Sequence, residues 1–443
     1  MAKDKKAAKE LTIEERLAQA LVPVEEQPYK IPENWCWTTV GNIAKIIMGQ
    51  SPESSSTTED SSFMPLVGGA ADMGKMFPKV TRYTKKPAKI CNKGDLILCI
   101  RATLGRPIFA DKEYCIGRGV AGIRIIGGNN EFFRYFFLNF EDYLYEKATG
   151  STFAQVNSVI LQNMPVPLPP LKEQRRIIDR IESIFTKLDE AKEKAQAVVD
   201  GFELRKSAIL HKAFTGELTK QWRKDKGIDL SSWNIVKFED LGKLERGRSK
   251  YRPRNDPKLF NGDYPFIQTG DVAKAGMYII EHTQTLSDFG MEQSRIFPKG
   301  TLCITIAANI GDVSILTYDC CFPDSVVGFT PNSKTTSEFI YYMMNIIQRE
   351  LEANAPATAQ KNINLKILNE LELRIPSISE QSEILAVLNQ IFEKEEKVME
   401  SARNVKNQID TIKKAILARA FRGKLGTNDV MEGSAVEVLK MVL

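Results

Sequence analysis

LPPLKEQRRIIDRIESIF (Leu168–Phe185) decides the fold. It opens a stretch that runs on to Ala213-Phe214-Thr215-Gly216, with apolar residues at Ile177, Ile181, Ile184, Leu188, Ala191, Ala195, Val198 and Phe202. Steps of four and three residues keep one stripe turned toward a partner helix for several turns, as in a coiled-coil seam. Pro169 and Pro170 suit a helix start and not its interior, and Gly216 supplies the left-handed residue that closes the far end. The 42 residues from Lys172 to Ala213 predict a rod of roughly 63 Å, at about 1.5 Å per residue.

The sequence holds a second copy. IPSISEQSEILAVLNQIF (Ile375–Phe392) repeats the opening at an offset of 207 residues, with Glu380-Gln381 over Glu173-Gln174. The offset holds to the far end, where KKAILARAFRGKL (Lys413–Leu425) lies opposite RKSAILHKAFTGEL (Arg205–Leu218). The stripe returns as Ile384, Leu388, Ile391, Val398, Val405, Ile409, Ile412 and Ile416. Matching lengths predict that the rods pair with each other, antiparallel, through Ile177, Ile181, Ile184 and Leu188 on one and Ile384, Leu388, Ile391, Ile409, Ile412 and Ile416 on the other.

The repeat extends upstream of each rod. Gly94–Ile125 aligns with Gly300–Pro331 at an offset of 206, and Glu33–Ser51 aligns with Ser231–Ser249, placing Trp35 over Trp233. A polar turn precedes each rod, GSTFAQVN (Gly150–Asn157) and the stretch from Pro356 to Asn364. A period near 200 residues means two duplicated halves and not a solenoid of short repeats. The expected fold is α+β: two similar, mainly β domains separated by two long antiparallel coiled-coil helices, with an internal pseudo-twofold repeat. The boundaries read as an arm and short helix over 1–30, a first domain over 31–168, a central helical region over 169–218, a linker and second domain over 219–374, a second helical region over 375–425 and a tail over 426–443. Thr12-Ile-Glu-Glu15 fits a capping box opening the short helix, and the tail is expected to fold back on the helices.

Composition narrows the function. With 43% hydrophobic and 26% charged residues among 443, the chain has the composition of a globular protein able to bury a core in each domain. No apolar run approaches the ~20 residues of a membrane span, and the start lacks the apolar centre of a signal peptide. Seven cysteines form no CxxC pair and there are only two histidines, which argues against zinc spacings and for thiols serving as small apolar residues in a reducing cytoplasm. The net charge of +5 is local. Leu241–Lys258 holds seven basic and two acidic residues, and Lys75–Lys86 holds five basic and none acidic. Basic loops with Tyr, Asn and Gln nearby suit phosphates and base edges; as a solvated surface they would bind nothing. Ser51–Ser62 reads as a mobile polar loop. No phosphate-binding loop, nucleophile elbow, amino-methyltransferase tetrapeptide or spaced acidic cluster appears, so a binding module is the better reading than an enzyme.

Two variable β-rich domains alternating with two similar rods, PYKIPENW (Pro28–Trp35), PLPPLKEQRRI (Pro167–Ile177), ISEQSEILAVL (Ile378–Leu388) and the rod ends AFTGEL and AFRGKL together resemble the specificity subunit of type I restriction–modification systems. The likeness runs from about Val22 to Leu425. GSTFAQVN matches the family pattern, whereas Ala355-Pro-Ala-Thr358 departs from it. The resemblance implies that each β-rich domain is a target recognition domain reading one half of a bipartite, asymmetric site in double-stranded DNA. It implies that the rods fix the gap between the halves and dock two copies of a modification (methyltransferase) subunit, with a restriction/translocase subunit completing the assembly. S-adenosylmethionine, ATP and Mg would belong to those partners, with no cofactor in this chain. Half-sites one DNA turn apart lie about 34–36 Å from each other, within reach of such rods. The expected DNA contacts are Gly49, Gln50, Ser51, Lys79, Arg82, Arg101, Thr103 and Arg106 in the first domain. In the second they are Arg246, Arg248, Lys250, Arg252, Arg254, Gln268 and Thr269. A standalone nucleic-acid-binding or coiled-coil scaffold protein, or a chain that itself cleaves DNA, are the other classes compatible with the residues.

Overall fold

The computed structural model describes residues 11–150, 153–307, 311–354 and 364–443; the second polar turn, apart from Asn364, lies outside them. The chain forms two compact units, one of residues 1–195 with 404–443 and one of residues 196–403. Each unit therefore combines a β-rich domain, the start of the rod that follows it and the end of the other rod.

The duplication holds for the shared strands of both sheets. In the first unit a four-stranded sheet runs in the order Ala44–Met48, Val120–Ile125, Leu96–Arg101, Thr103–Phe109. In the second the same order is Gly242–Arg246, Val326–Pro331, Leu302–Thr305, Val313–Leu316, extended by Tyr278–Ile279. A smaller sheet follows in each, built on a parallel pair that sets Leu66 opposite Cys115 in one unit and Phe266 opposite Cys321 in the other. Leu96–Arg101 lacks the polar alternation of a half-buried strand because both its faces are covered. Leu96, Leu98 and Ile100 face the larger core, with the aromatics of helix Asn130–Asn139, while Ile97 and Cys99 face a second core. Leu302 and Ile304 divide from Cys303 in the same way. All seven cysteines are buried free thiols.

The repeated Glu-Gln pair explains how each rod is held. Trp35 donates its indole N–H to Glu173 (2.8 Å), and Trp233 donates to Glu380 (3.0 Å). The Gln174 side chain accepts from the Asn129 backbone N–H and donates to the Pro169 carbonyl. Gln381 accepts from the Thr335 hydroxyl and donates to the carbonyls of Lys334 and Pro376. All four side chains are buried, so their polar atoms need these partners. The segment just beyond the end of the opposite rod completes each site. Thr427 donates to Glu173, and Thr219 and Arg223 donate to Glu380.

Burial pushes the Glu173 carboxyl above its ordinary range, against the pull of the Trp35 hydrogen bond and Arg176. The stability it contributes is complete below the unfolded value near 4.5 and is lost as pH rises through the folded one. Glu173→Gln should therefore flatten the pH dependence of the first unit's melting temperature in that window; an unchanged slope would show that this carboxyl does not govern it.

The rods pair antiparallel within each unit. Lys413 meets Asp189 and Lys192 meets Asp410 in the first, and Arg205 meets Glu395 in the second. Two features differ from the sequence reading. The first rod is interrupted at Gly201, giving helices Leu171–Asp200 and Phe202–Phe214, and Arg205 reaches back to the Val198 carbonyl at the break. The second rod is one helix, Ile378–Ala420. On it Val398, Val405 and Ile412 are 48%, 42% and 42% exposed, while Met399, Ala402, Ile409, Leu417 and Ala420 are buried. A straight helix drifts by about 20° per heptad against a seven-residue repeat, so Val398, Val405 and Ile412 rotate off the seam. Glu395 and Lys413 take places on it and pair across it. Ile412→Ala should change stability by no more than about 0.5 kcal/mol; a loss matching that of Ile409→Ala would restore Ile412 to the seam.

The segment read as a mobile loop and the linker between the first rod and the second domain are both built. Ser51–Ser62 contains strand Thr57–Thr58, paired with Tyr83–Thr84, and the buried Ser56 hydroxyl bonds Thr84. Thr219–Leu230 contains helix Lys220–Lys226, whose Arg223 is buried against Glu380. The capping box at Thr12 forms, opening helix Ile13–Ala20. Tail helix Ala435–Lys440 inserts Ala435 and Leu439 into the first core.

Candidate nucleic-acid interface

In the first unit the eight sequence candidates gather at one end of the sheets. Strand Ala44–Met48 ends at Gly49, whose N–H donates to the Val120 carbonyl while Gln50 donates to that of Ile116. A Cβ on Gly49 would lie 2.1 Å from the Gly117 oxygen and 2.5 Å from that of Val120, so only glycine lets the two backbones approach this closely. The turn after the parallel strand, Gly117-Arg118-Gly119, meets this loop through the Arg118 N–H and Ser51 Oγ (3.4 Å). It meets a second loop through Gly117 N–H to Val67 O and Gly119 N–H to Gly68 O.

That second loop carries the charge. Asp72, 5% exposed, accepts from the Gly68 N–H (2.7 Å) and from Arg82 Nη2 (3.2 Å), leaving the Arg82 side chain half-exposed. Lys79 is tethered by its N–H to the Asp72 carbonyl, and Arg106 reaches the Ala70 carbonyl. Arg101 and Thr103 flank the hairpin residue Ala102 (φ 63°), next to the bond between Ile100 and Gly119.

The second unit builds the same junction with other side chains. Gly247 ends the first strand, where a Cβ would lie 2.2 Å from the Pro323 oxygen and 2.5 Å from that of Phe322. Arg248 donates its N–H to the Phe322 carbonyl, next to the bond from Ile267 to Cys321. The turn equivalent to Gly117-Arg118-Gly119 is Pro323-Asp324-Ser325, with an acid in place of the arginine. Asp324 binds Arg254 through its carboxylate (2.9 Å) and holds Arg246 through its carbonyl, so the charge of Arg254 is partly neutralised from within and Arg246 is fixed in place. Arg252 folds onto the carbonyls of Ser249 and Tyr251. Lys250 is exposed and tied by its N–H to Gln293. Gln268 and Thr269 start a short helix capped by Asp271, and Gln268 Nε2 donates to Gln284 Oε1 (2.7 Å).

Sequence reasoning missed Asp72, Arg118, Gln284 and Asp324. Arg118 alone carried a local signal, standing between two glycines in a turn. The others are defined by partners 10 to 70 positions away. The arrangement offers exposed donors on rigid strand ends in two equivalent frames, a geometry suited to polar base edges and phosphates. Among the described residues no group of three or more His, Cys, Asp or Glu could hold a metal ion, and no helix is long and apolar enough to cross a membrane.

The sequence matches the type I restriction modification DNA specificity domain twice, over residues 32–199 and 231–406. It is 34% identical to the putative type I restriction enzyme MjaX specificity subunit of Methanocaldococcus jannaschii over 200 residues, which is 43% of this chain and 44% of that protein. It is 25% identical to the type I restriction enzyme EcoBI specificity subunit of Escherichia coli over 75% of this chain and 73% of that protein. The fold is similar to that of the HsdS subunit from Thermoanaerobacter tengcongensis, with a TM-score of 0.64 at 20% identity, covering 91% of this chain and all of the other.

Proposed function

Because the chain belongs to the type I restriction modification DNA specificity family, we propose that it is the DNA-reading subunit of such a system, each unit reading one half of a bipartite, asymmetric duplex site. The observation that carries this is the duplicated junction: one backbone frame, fixed by Gly49 and Gly247, presents two different sets of polar side chains. Identical sets would suit a palindrome; different ones suit unlike halves. In this reading the rods set the unspecified gap between the two half-sites. The chain does no chemistry of its own in this reading. Methyl transfer with S-adenosylmethionine and ATP- and Mg-dependent cleavage belong to two modification subunits and a restriction subunit, in the cytoplasm where the DNA lies.

Modified-base sequencing of the source cell's DNA, with and without this gene, tests the reading. A two-part methylated motif with a constant gap, present only with the gene, is the expected result, and exchanging residues 231–374 for another such domain should alter one half alone. If no modification depends on the gene and the chain captures no methyltransferase on co-purification, a scaffold role takes its place.

A further inference from the structure

Among the differences between the two copies of the smaller sheet is one linked pair of positions. Strand register makes Arg82 and Gln284 equivalent: Leu66 donates its N–H to the Arg82 carbonyl, and Phe266 pairs with Gln284, where Leu66 and Phe266 are the residues opposite Cys115 and Cys321. By the same register Gly68 and Gln268 are equivalent, and each donates its N–H to an aspartate (Asp72 or Asp271) at 2.7 Å.

The side chains at the two positions are matched to each other. A Cβ on Gly68 would stand 2.8 Å from Arg82 Nη2, so the missing side chain makes room for the guanidinium. Where residue 268 carries a side chain, its partner is the shorter Gln284, and the two amides bond to each other. The hydrogen-bonding consequences differ. Arg82, anchored through one hydrogen of Nη2, presents only donors. In the glutamine pair the bond uses Gln268 Nε2 and Gln284 Oε1, leaving the Gln284 amide as donor beside the Gln268 oxygen as acceptor. In the major groove guanine offers two acceptors, N7 and O6, whereas adenine offers an acceptor, N7, beside a donor, the 6-amino group.

Resting on the DNA-reading function above, we propose that these positions are base-reading heads: Arg82 over Gly68 selects a guanine in one half-site, and the Gln268–Gln284 pair selects an adenine in the other.

The test uses the full chain assembled with its methyltransferase subunits, on a duplex carrying the mapped bipartite site. Each guanine of one half and each adenine of the other is replaced in turn by its 7-deaza analogue, and binding is measured by competition. Loss of N7 at one guanine and one adenine should each weaken wild-type binding roughly five- to hundred-fold. Arg82→Ala should bind more weakly but become indifferent to the guanine substitution, and Gln284→Ala indifferent to the adenine one, while each keeps its reading of the opposite half as proof of folding. If no N7 matters in the wild type, or if the variants stay as sensitive as the wild type, the inference fails while the DNA-reading function stands. Absence of any bipartite site would remove both.

Discussion

Replacing Glu380 by alanine is expected to lower the stability of the second unit by about 3–5 kcal/mol, the usual cost of removing one partner of a buried ion pair. The Glu380 side chain is 1% exposed and that of Arg223 is 7% exposed. Without the carboxylate the guanidinium keeps its bond to the Gly216 carbonyl and loses its counter-charge. The Trp233 indole N–H and the Thr219 hydroxyl lose their acceptor at the same time. Glu380→Gln should recover little, since an amide can still accept from Trp233 but leaves the charge of Arg223 uncompensated. The matching change in the first unit, Glu173→Ala, should cost only about 1–3 kcal/mol, the penalty for unsatisfied polar groups. There the nearest cation, Arg176, is partly exposed and already paired with Glu432. Denaturant unfolding followed by a probe in each unit would separate the two; equal losses would mean that Arg223 is not the deciding partner.

Phe421→Ala should destabilise the first unit by about 3–5 kcal/mol, as for a large ring removed from a closed core, although this residue follows the second rod in sequence. Its ring is fully buried and packs on Phe132 (5.1 Å), Phe136 (6.0 Å) and Phe140 (6.3 Å) between centroids. Hydrogen exchange gives the clearest readout. Protection should fall in 96–101 and 130–139 and stay unchanged in 302–305. A fall in 302–305 instead would contradict the division of the rods between the units.

The elements legible in the sequence are those whose cause is local or is repeated. The Glu-Gln pair, the tryptophans and the strand runs could be matched copy against copy, and their equivalence in space follows. Gly49 and Gly247 align in sequence, but their reason, a carbonyl about 2 Å from any added Cβ, belongs to a turn some 70 residues away. The break at Gly201 escaped because the apolar spacing continues through it, and the drift of Val398, Val405 and Ile412 because a heptad and a straight helix agree over two turns and part over six. Arg254 reads as a free DNA-contacting cation and Arg223 carries no signal of its own; the acids that hold them lie 70 and 157 positions on.

The division of the chain also fixes an order of events during synthesis. Domains generally complete their folding in the order in which they leave the ribosome. Here the second unit is one continuous segment, 196–403, whereas the first needs residues 404–443. The part of the chain made first is therefore the last to close. Until Leu417, Phe421 and Leu439 emerge, the aromatic face of Phe132, Phe136 and Phe140 stays without its cover, and a nascent chain halted just after residue 403 has left the ribosome would hold a finished second unit behind an open first one.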